Sequence, residues 1–264
     1  MNRLAKAMTI AGSDSGGGAG IQADLKTFHQ FGVYGTSAIT AVTVQNTLGV
    51  TCVYPLPTEA VAQQMHEVLR DIGTDAAKTG MLFNAEIIEA VSREISHFDV
   101  KKLVVDPVMI AKGGAKLLQD EAIAALKRFL LPLAEVITPN LPEAEFLSGL
   151  RIETPEQMRE AARAIHQMGP RHVMMKGGHL QGDAIVDILY DGRDFFEMEH
   201  ERVPTRHTHG TGCTFSAALT AELAKGTPLV EAVDRANRFI VEAIRTAPQI
   251  GGGHGPTNHW AAVK

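Results

Sequence analysis

The sequence predicts an α/β fold in which a mostly parallel central sheet carries helices on both faces. Three observations predict it. Short apolar, β-branched segments alternate with amphipathic helical segments about six times, the pattern of strands joined by helical crossovers. Strands such as residues 102–109 are apolar at consecutive positions, as strands covered on both sides are. Several strands end in glycines or polar residues just before a helix, which is how ligand loops sit at the carboxyl edge of a parallel sheet.

Composition narrows the class. The 264 residues are 45% hydrophobic and 21% charged, as expected of a soluble globular chain, and no repeat or linker divides them, so residues 1–264 read as one domain. A net charge of −5 without any lysine/arginine block argues against a nucleic-acid partner. No apolar run is long enough to span a membrane. Residues 1–6 lead straight into a strand-like segment with no apolar signal core. Cys52 and Cys213 are far apart and lack metal-ligand spacing, so a reducing compartment, the cytoplasm, is expected. Among the eleven histidines, His207 and His209 are two apart, which is not a helical ligand pair.

Taken in order, residues 7–11 form a buried strand. Gly12-Ser13-Asp14-Ser15-Gly16-Gly17-Gly18-Ala19-Gly20 follows, then helical periodicity through Ile21, Leu25 and Phe28. The loop is not a P-loop, because no Gly-Lys-Ser/Thr ends it. Asp14 can accept from a ligand hydroxyl or amine, or can hold the turn. Residues 34–44 are β-branched and strand-like, ending at Gln45-Asn46. Two amides there can read a polar heterocycle, or can simply close the turn before Gly49. Residues 58–72 are helical, and residues 76–80 form a short strand with Gly80-Met81-Leu82 at its tip. Met81 can pack on a flat ring or belong to the core. Residues 85–95 are helical.

The strand at 102–109 stops at Asp106-Pro107-Val108, which aims a carboxylate into the ligand crevice. Gly113-Gly114 in the next loop suits a lid, as does the hairpin before Val203. A helix over 121–131 follows. In Thr138-Pro139-Asn140-Leu141-Pro142-Glu143, a strand passes through a polar turn into a helix, with Pro142 suited to the first turn. Asn140 and Glu143 form either a capping box or a site near a divalent cation, since Mg²⁺ prefers oxygen ligands. Residues 155–168 are helical, and the strand at 172–175 ends in Lys176-Gly177-Gly178-His179, where a lysine can meet phosphate oxygens. Alternation over 184–190 and 195–200 around Asp191-Gly192 predicts a hairpin. Arg206-His207-Thr208-His209-Gly210-Thr211-Gly212-Cys213-Thr214 then opens a helix. Free N–H groups and the helix dipole converge there on an anion, and Gly210 and Gly212 allow close backbone approach. That field favours a Cys213 thiolate; the plainer alternative is a small buried cysteine behind a glycine-rich loop. A closing helix spans 229–244, and Gly251-Gly252-Gly253-His254-Gly255-Pro256 is a tail loop, either near the site or only a terminus.

Together, residues 11–20, Asp106-Pro107-Val108-Met109, Thr138 to Glu143, Met175 to His179 and His209 to Cys213 resemble the hydroxymethylpyrimidine/phosphomethylpyrimidine kinases of thiamine biosynthesis, members of the ribokinase-like superfamily. The resemblance covers nearly the whole chain. It implies a ribokinase-like three-layer α/β/α fold, ATP and Mg²⁺, and two successive phosphorylations, of a hydroxymethyl group and then of the monophosphate. By resemblance, Gly12, Asp14, Gln45, Met81 and Val108 line the substrate pocket. Cys213 lies beside the substrate hydroxyl, and Gly210, Thr211 and Gly212 form the anion hole. Asn140, Lys176, Thr208 and His209 face the nucleotide, while Asp106 and Glu143 lie near the metal. Relatives of this kind are often homodimers, and with no synthase segment after Lys264 a kinase alone is implied. Two rival readings are a pyridoxine/pyridoxal kinase and a non-catalytic vitamer-binding protein.

Overall fold

A computed structural model of the chain describes residues 3–109, 120–178 and 184–263. Among the described residues the strands are β1 (Lys6–Asp14), β2 (Tyr34–Asn46), β3 (Gly49–Pro55), β4 (Ala76–Thr79), β5 (Leu103–Val105), β6 (Val136–Ile137), β7 (His172–Met175), β8 (Ala184–Tyr190) and β9 (Phe195–Glu201). They form one sheet in the order β3-β2-β1-β4-β5-β6-β7-β8-β9. The segment from β2 to β7 is parallel throughout; β3 at one edge and β8 and β9 at the other pair antiparallel.

Period-2 geometry explains why the central strands are apolar at every position. Along β5, Leu103 and Val105 face one core while Val104 faces the other; along β7, Val173 and Met175 oppose Met174 in the same way. One face is covered by α1 (Gly20–Gln30), α7 (Thr211–Lys225) and α8 (Leu229–Arg245), around Phe28, Phe215 and Phe239. The other is covered by α2 (Thr58–Asp71), α3 (Ala85–His97), α4 (Asp120–Ala125), α5 (Leu141–Ser148) and α6 (Pro155–His166), around Met65, Ile87, Ile88 and Met158. The expected three-layer α/β/α arrangement therefore holds. The chain steps outward from β1 to β2 and then returns to β4 on β1's other side, so the order reverses at β1. That reversal opens a crevice at the carboxyl ends of the strands.

Two elements depart from expectation. β3 has no counterpart in the sequence reading: its hairpin with β2 turns through Thr47-Leu48, without the Asn-Gly signal that marks tight turns. The helix expected over 121–131 ends as an α-helix at Ala125. A π turn over Leu126–Leu130 and a 3₁₀ turn over Leu131–Leu133 follow, where Pro132 offers no N–H. The widened turn still buries Leu126, Leu130 and Leu131. The hairpin predicted around Asp191-Gly192 is present as β8 and β9. Gly113, Gly114 and His179 lie outside the described residues.

Candidate active site

The carboxyl ends of β1, β4, β5, β6 and β7 surround a cavity of about 660 Å³, closed on one side by the start of α7. All the residues assigned to the site by resemblance line it: Gly12, Asp14, Gln45, Met81, Asp106, Val108, Asn140, Glu143, Lys176, Thr208, His209, Gly210, Thr211, Gly212 and Cys213. The parallel topology brings them together by ending successive strands on one edge.

At the β1 end, Asp14 organises its own loop. Its Oδ1 accepts from Gly16 N at 2.8 Å, and its Oδ2 from Gly18 N and Ala19 N at 3.0 and 2.9 Å. His209 Nε2 lies 2.9 Å from the same Oδ2. Burial alone would raise the Asp14 carboxyl, but the His209 contact and these N–H groups hold it below the usual range. Of the two readings of Asp14, the turn-holding one describes this geometry. Gln45 Nε2 is 3.3 Å from His209 Nε2, and Gln45 Oε1 accepts from Thr43 Oγ1 at 3.0 Å. Asn46 instead closes the β2–β3 turn, accepting from Leu48 N at 2.8 Å. Met81 is buried with its methyl against Gly12, where any Cβ would sit 2.5 Å from it.

Opposite, Asn140 and Glu143 form a complete capping box on α5: Glu143 N donates to Asn140 Oδ1 at 3.0 Å, and Asn140 N donates to Glu143 Oε2 at 2.9 Å. Burial, opposed by Lys176 and helped by Asp106, pushes the Glu143 carboxyl up to about 7. Lys176 Nζ lies 3.2 Å from Asp106 Oδ1. Asp106 also accepts from Ser216 Oγ of α7 at 3.3 Å, a contact the sequence did not disclose. Lys176 would be lowered by burial, yet Asp106 and Glu143 raise it above its ordinary value, so it stays an ammonium.

α7 begins at Gly210, whose φ of +78° is left-handed and whose Cβ position is filled by the Gly18 carbonyl oxygen; only glycine fits. Gly212 faces the cavity, where a Cβ would lie 3.4 Å from Lys176 Nζ and 3.7 Å from Asp106 Oδ2. The N–H groups of this first turn thus open beside a lysine, as an anion hole requires. Cys213 is partly exposed, and the Gly20 N–H at the start of α1 points at its sulfur. Here the thiolate expectation is corrected. Burial pushes the thiol up to about 12, Lys78 opposes, and Asp24 and Asp106 add to the rise. The Gly20 N–H opposes this rise but ranks behind burial among its causes.

The tail loop belongs to this wall. His209 N donates to Gly255 O at 3.0 Å, Thr257 N donates to His209 O at 3.2 Å, and His259 Nε2 is 3.2 Å from Thr214 Oγ1. Sequence reasoning also missed Lys78 and Asp24, buried just beneath the cavity; a lysine inside the apolar run Ala76-Ala77-Lys78-Thr79 was the available signal. Among the described residues no group of three or more histidine, cysteine or acidic side chains could hold a metal by itself, and no helix is long and apolar enough to cross a membrane.

Known proteins carry the same pattern. The phosphomethylpyrimidine kinase family signature matches residues 14–258. The chain is 54% identical over 257 residues to the hydroxymethylpyrimidine/phosphomethylpyrimidine kinase of Bacillus subtilis, covering 97% of this chain and 95% of that one. It is 55% identical to the Haemophilus influenzae protein of the same name, covering 99% and 98%. A crystal structure of an ADP complex of Bacillus subtilis pyridoxal kinase superposes with a TM-score of 0.92 at 46% identity, covering 98% of both chains. With that signature matched over residues 14–258 and close relatives covered almost end to end, the chain belongs to the phosphomethylpyrimidine kinase family.

Proposed function

We propose that this single kinase domain, residues 1–264, transfers the γ-phosphoryl group of ATP to the hydroxymethyl oxygen of 4-amino-5-hydroxymethyl-2-methylpyrimidine, and then phosphorylates the monophosphate to the pyrophosphate, in thiamine biosynthesis. The observation that carries this reading is the meeting of the Gly210–Cys213 turn with Lys176 and Asp106 in one cavity, opposite Gln45 and Met81. Phosphoryl transfer asks mainly for positioning and charge neutralisation. The first-turn N–H groups and the Lys176 ammonium neutralise the transferring group. Gln45 pairs with the aminopyrimidine edge, and Met81 packs on the ring. Asn140, Thr208 and His209 flank the nucleotide side, and Val108 closes the pocket beside the substrate. Cys213 stands by the acceptor hydroxyl and serves as a proton acceptor only once substrate or nucleotide alters its surroundings.

Mg²⁺ suits the donors present, since it binds through one or two carboxylates plus substrate phosphates, and Asp106 and Glu143 supply those carboxylates. When bound, it would neutralise phosphate charge. We place the enzyme in the cytoplasm. A homodimer would cover Val42, Val44 and Tyr54, which are exposed on the β2–β3 hairpin, and light scattering would report it.

A coupled ATP-consumption assay with Mg²⁺, run on the hydroxymethylpyrimidine, its monophosphate and pyridoxal with product masses identified, tests the assignment. Turnover of both pyrimidines is expected. The similarity to a pyridoxal kinase favours a second reading, in which pyridoxal is the substrate, and turnover of pyridoxal alone would establish it. Absence of any ATP turnover would leave a vitamer-binding protein.

A further inference from the structure

β4 is buried at every position, yet its third residue is a lysine. Lys78 and its partner Asp24, in α1, are both fully buried. Lys78 Nζ lies 2.8 Å from Asp24 Oδ1, and Thr9 Oγ1 donates to Asp24 Oδ2 at 2.6 Å. Such a desolvated pair usually costs about as much as it returns, and packed apolar residues of similar volume serve stability as well or better. Stability alone therefore gives poor reason for it.

Its place gives a better one. Lys78 shares with Gly80 the face of β4 turned toward α1 and α7, and a Cβ on Gly80 would lie 3.8 Å from Nζ. Gly80 lines the cavity. Asp24 stands one turn along α1 from Gly20, whose N–H points at Cys213. The pair is thus a layer directly beneath the wall where α1 and α7 begin. Burial by itself lowers the Lys78 ammonium, but the Asp24 carboxylate beside it, with Asp106, pushes it up to about 12. A Cβ on Gly80 would have Lys78 Nζ but no atom of Asp24 within 4 Å, so the pair presents its ammonium end to the cavity wall.

We propose that the Lys78–Asp24 pair is a fixed charge layer that stabilises the anionic group passing over the start of α7, with Lys78 a positioning residue that acts through the Gly20–Cys213 wall without touching substrate. Asp24 and Thr9 hold the ammonium in one place, so it needs no reorganisation as charge develops above it, and in a dry site such fixed charge acts strongly. The proposal rests on the kinase reading and adds to it a residue pair outside the cavity.

The test replaces the pair by two neutral pairs: Lys78→Met with Asp24→Leu, and Lys78→Gln with Asp24→Asn. Unfolding curves, steady-state kinetics and inhibition by orthovanadate in the presence of ADP are measured for each. We expect folded enzymes whose KM for the alcohol substrate stays within about threefold of the parent, with kcat lowered about tenfold or more and orthovanadate binding weakened similarly. Parental kcat and orthovanadate affinity in a folded variant would overturn the proposal. So would failure of both pairs to fold, which would make the charges a requirement of the fold. Each comparison is made on whichever of the hydroxymethylpyrimidine or pyridoxal the parent phosphorylates. A wrong substrate assignment therefore shows in the parent, and a wrong role for the pair shows only in the variants.

Discussion

Lys176 Nζ lies 3.2 Å from Asp106 Oδ1, which ties the end of β7 to the end of β5 across the intervening β6. Replacing Lys176 by methionine removes this cation from the mouth of the α7 turn and leaves Asp106 buried without it. We expect kcat to fall by about 10²–10³, with the KM for the acceptor substrate nearly unchanged. Steady-state kinetics on the acceptor and on ATP decide the matter. A fall in kcat/KM carried only by a higher KM for the acceptor would place Lys176 in substrate binding instead.

Gly210 and Gly212, two residues apart, should both lose activity on replacement by alanine but differ in stability. At Gly210 a methyl group would run into the Gly18 carbonyl oxygen and φ is +78°, so Gly210→Ala must deform the glycine-rich loop. Its melting temperature should fall by several degrees, and activity with it. Gly212→Ala places its methyl in the cavity, 3.4 Å from Lys176 Nζ, with no backbone atom among its nearest neighbours. That variant should melt like the parent and still lose most of its kcat/KM, because the methyl occupies space a phosphoryl group needs. Equal melting temperatures for the two variants would contradict this account.

Most of the cavity was legible in the sequence, because a parallel strand ending in a polar residue has one place to put it. Asp106, Asn140 and Lys176 each follow a buried strand, and Gly210-Thr211-Gly212 precedes a helical pattern. What was not legible depended on contacts distant in sequence. Ser216 meets Asp106 only because α7 lies over β5, and the tail at Thr257 and His259, which packs on Thr214, carries no periodic signal. The Asn-x-x-Glu motif was ambiguous for another reason: the same spacing that caps α5 also aims a carboxylate at the cavity, and here it caps the helix while Glu143 stays buried. At Cys213 the helix start favours the thiolate while burial opposes it, and the local sequence carries only the first of these.

Because burial pushes the Cys213 thiol up to about 12, Cys213 in the ligand-free enzyme should react slowly with iodoacetamide at neutral pH. The rate should still be rising at pH 9 rather than levelling off. Peptide mass analysis separates Cys213 from Cys52, the other free cysteine. A plateau near pH 7 would mean that the thiolate already exists before any ligand arrives, and that the start of α7 outweighs desolvation after all.

His259 supplies a pH dependence of stability with a definite sign. Burial, helped by Lys26 and His209, pulls its imidazole down to about 4 from 6.5. The folded state therefore holds it neutral while the unfolded chain takes up a proton below pH 6.5, so its contribution is complete above that pH and is lost as the pH falls toward 4. Between pH 7.5 and 5.0 the loss is about 2 kcal/mol. Glu143, pushed up to about 7, acts in the opposite sense over the same range, so the parent alone cannot reveal the effect. The comparison with His259→Asn does, since the introduced amide keeps a polar partner for Thr214 but does not titrate. Urea unfolding should show the parent's advantage over this variant shrinking by about 2 kcal/mol from pH 7.5 to pH 5.0. Parallel stabilities at both pH values would mean that the imidazole is solvated or already charged in the fold, and that the tail is held to α7 by its backbone hydrogen bonds alone.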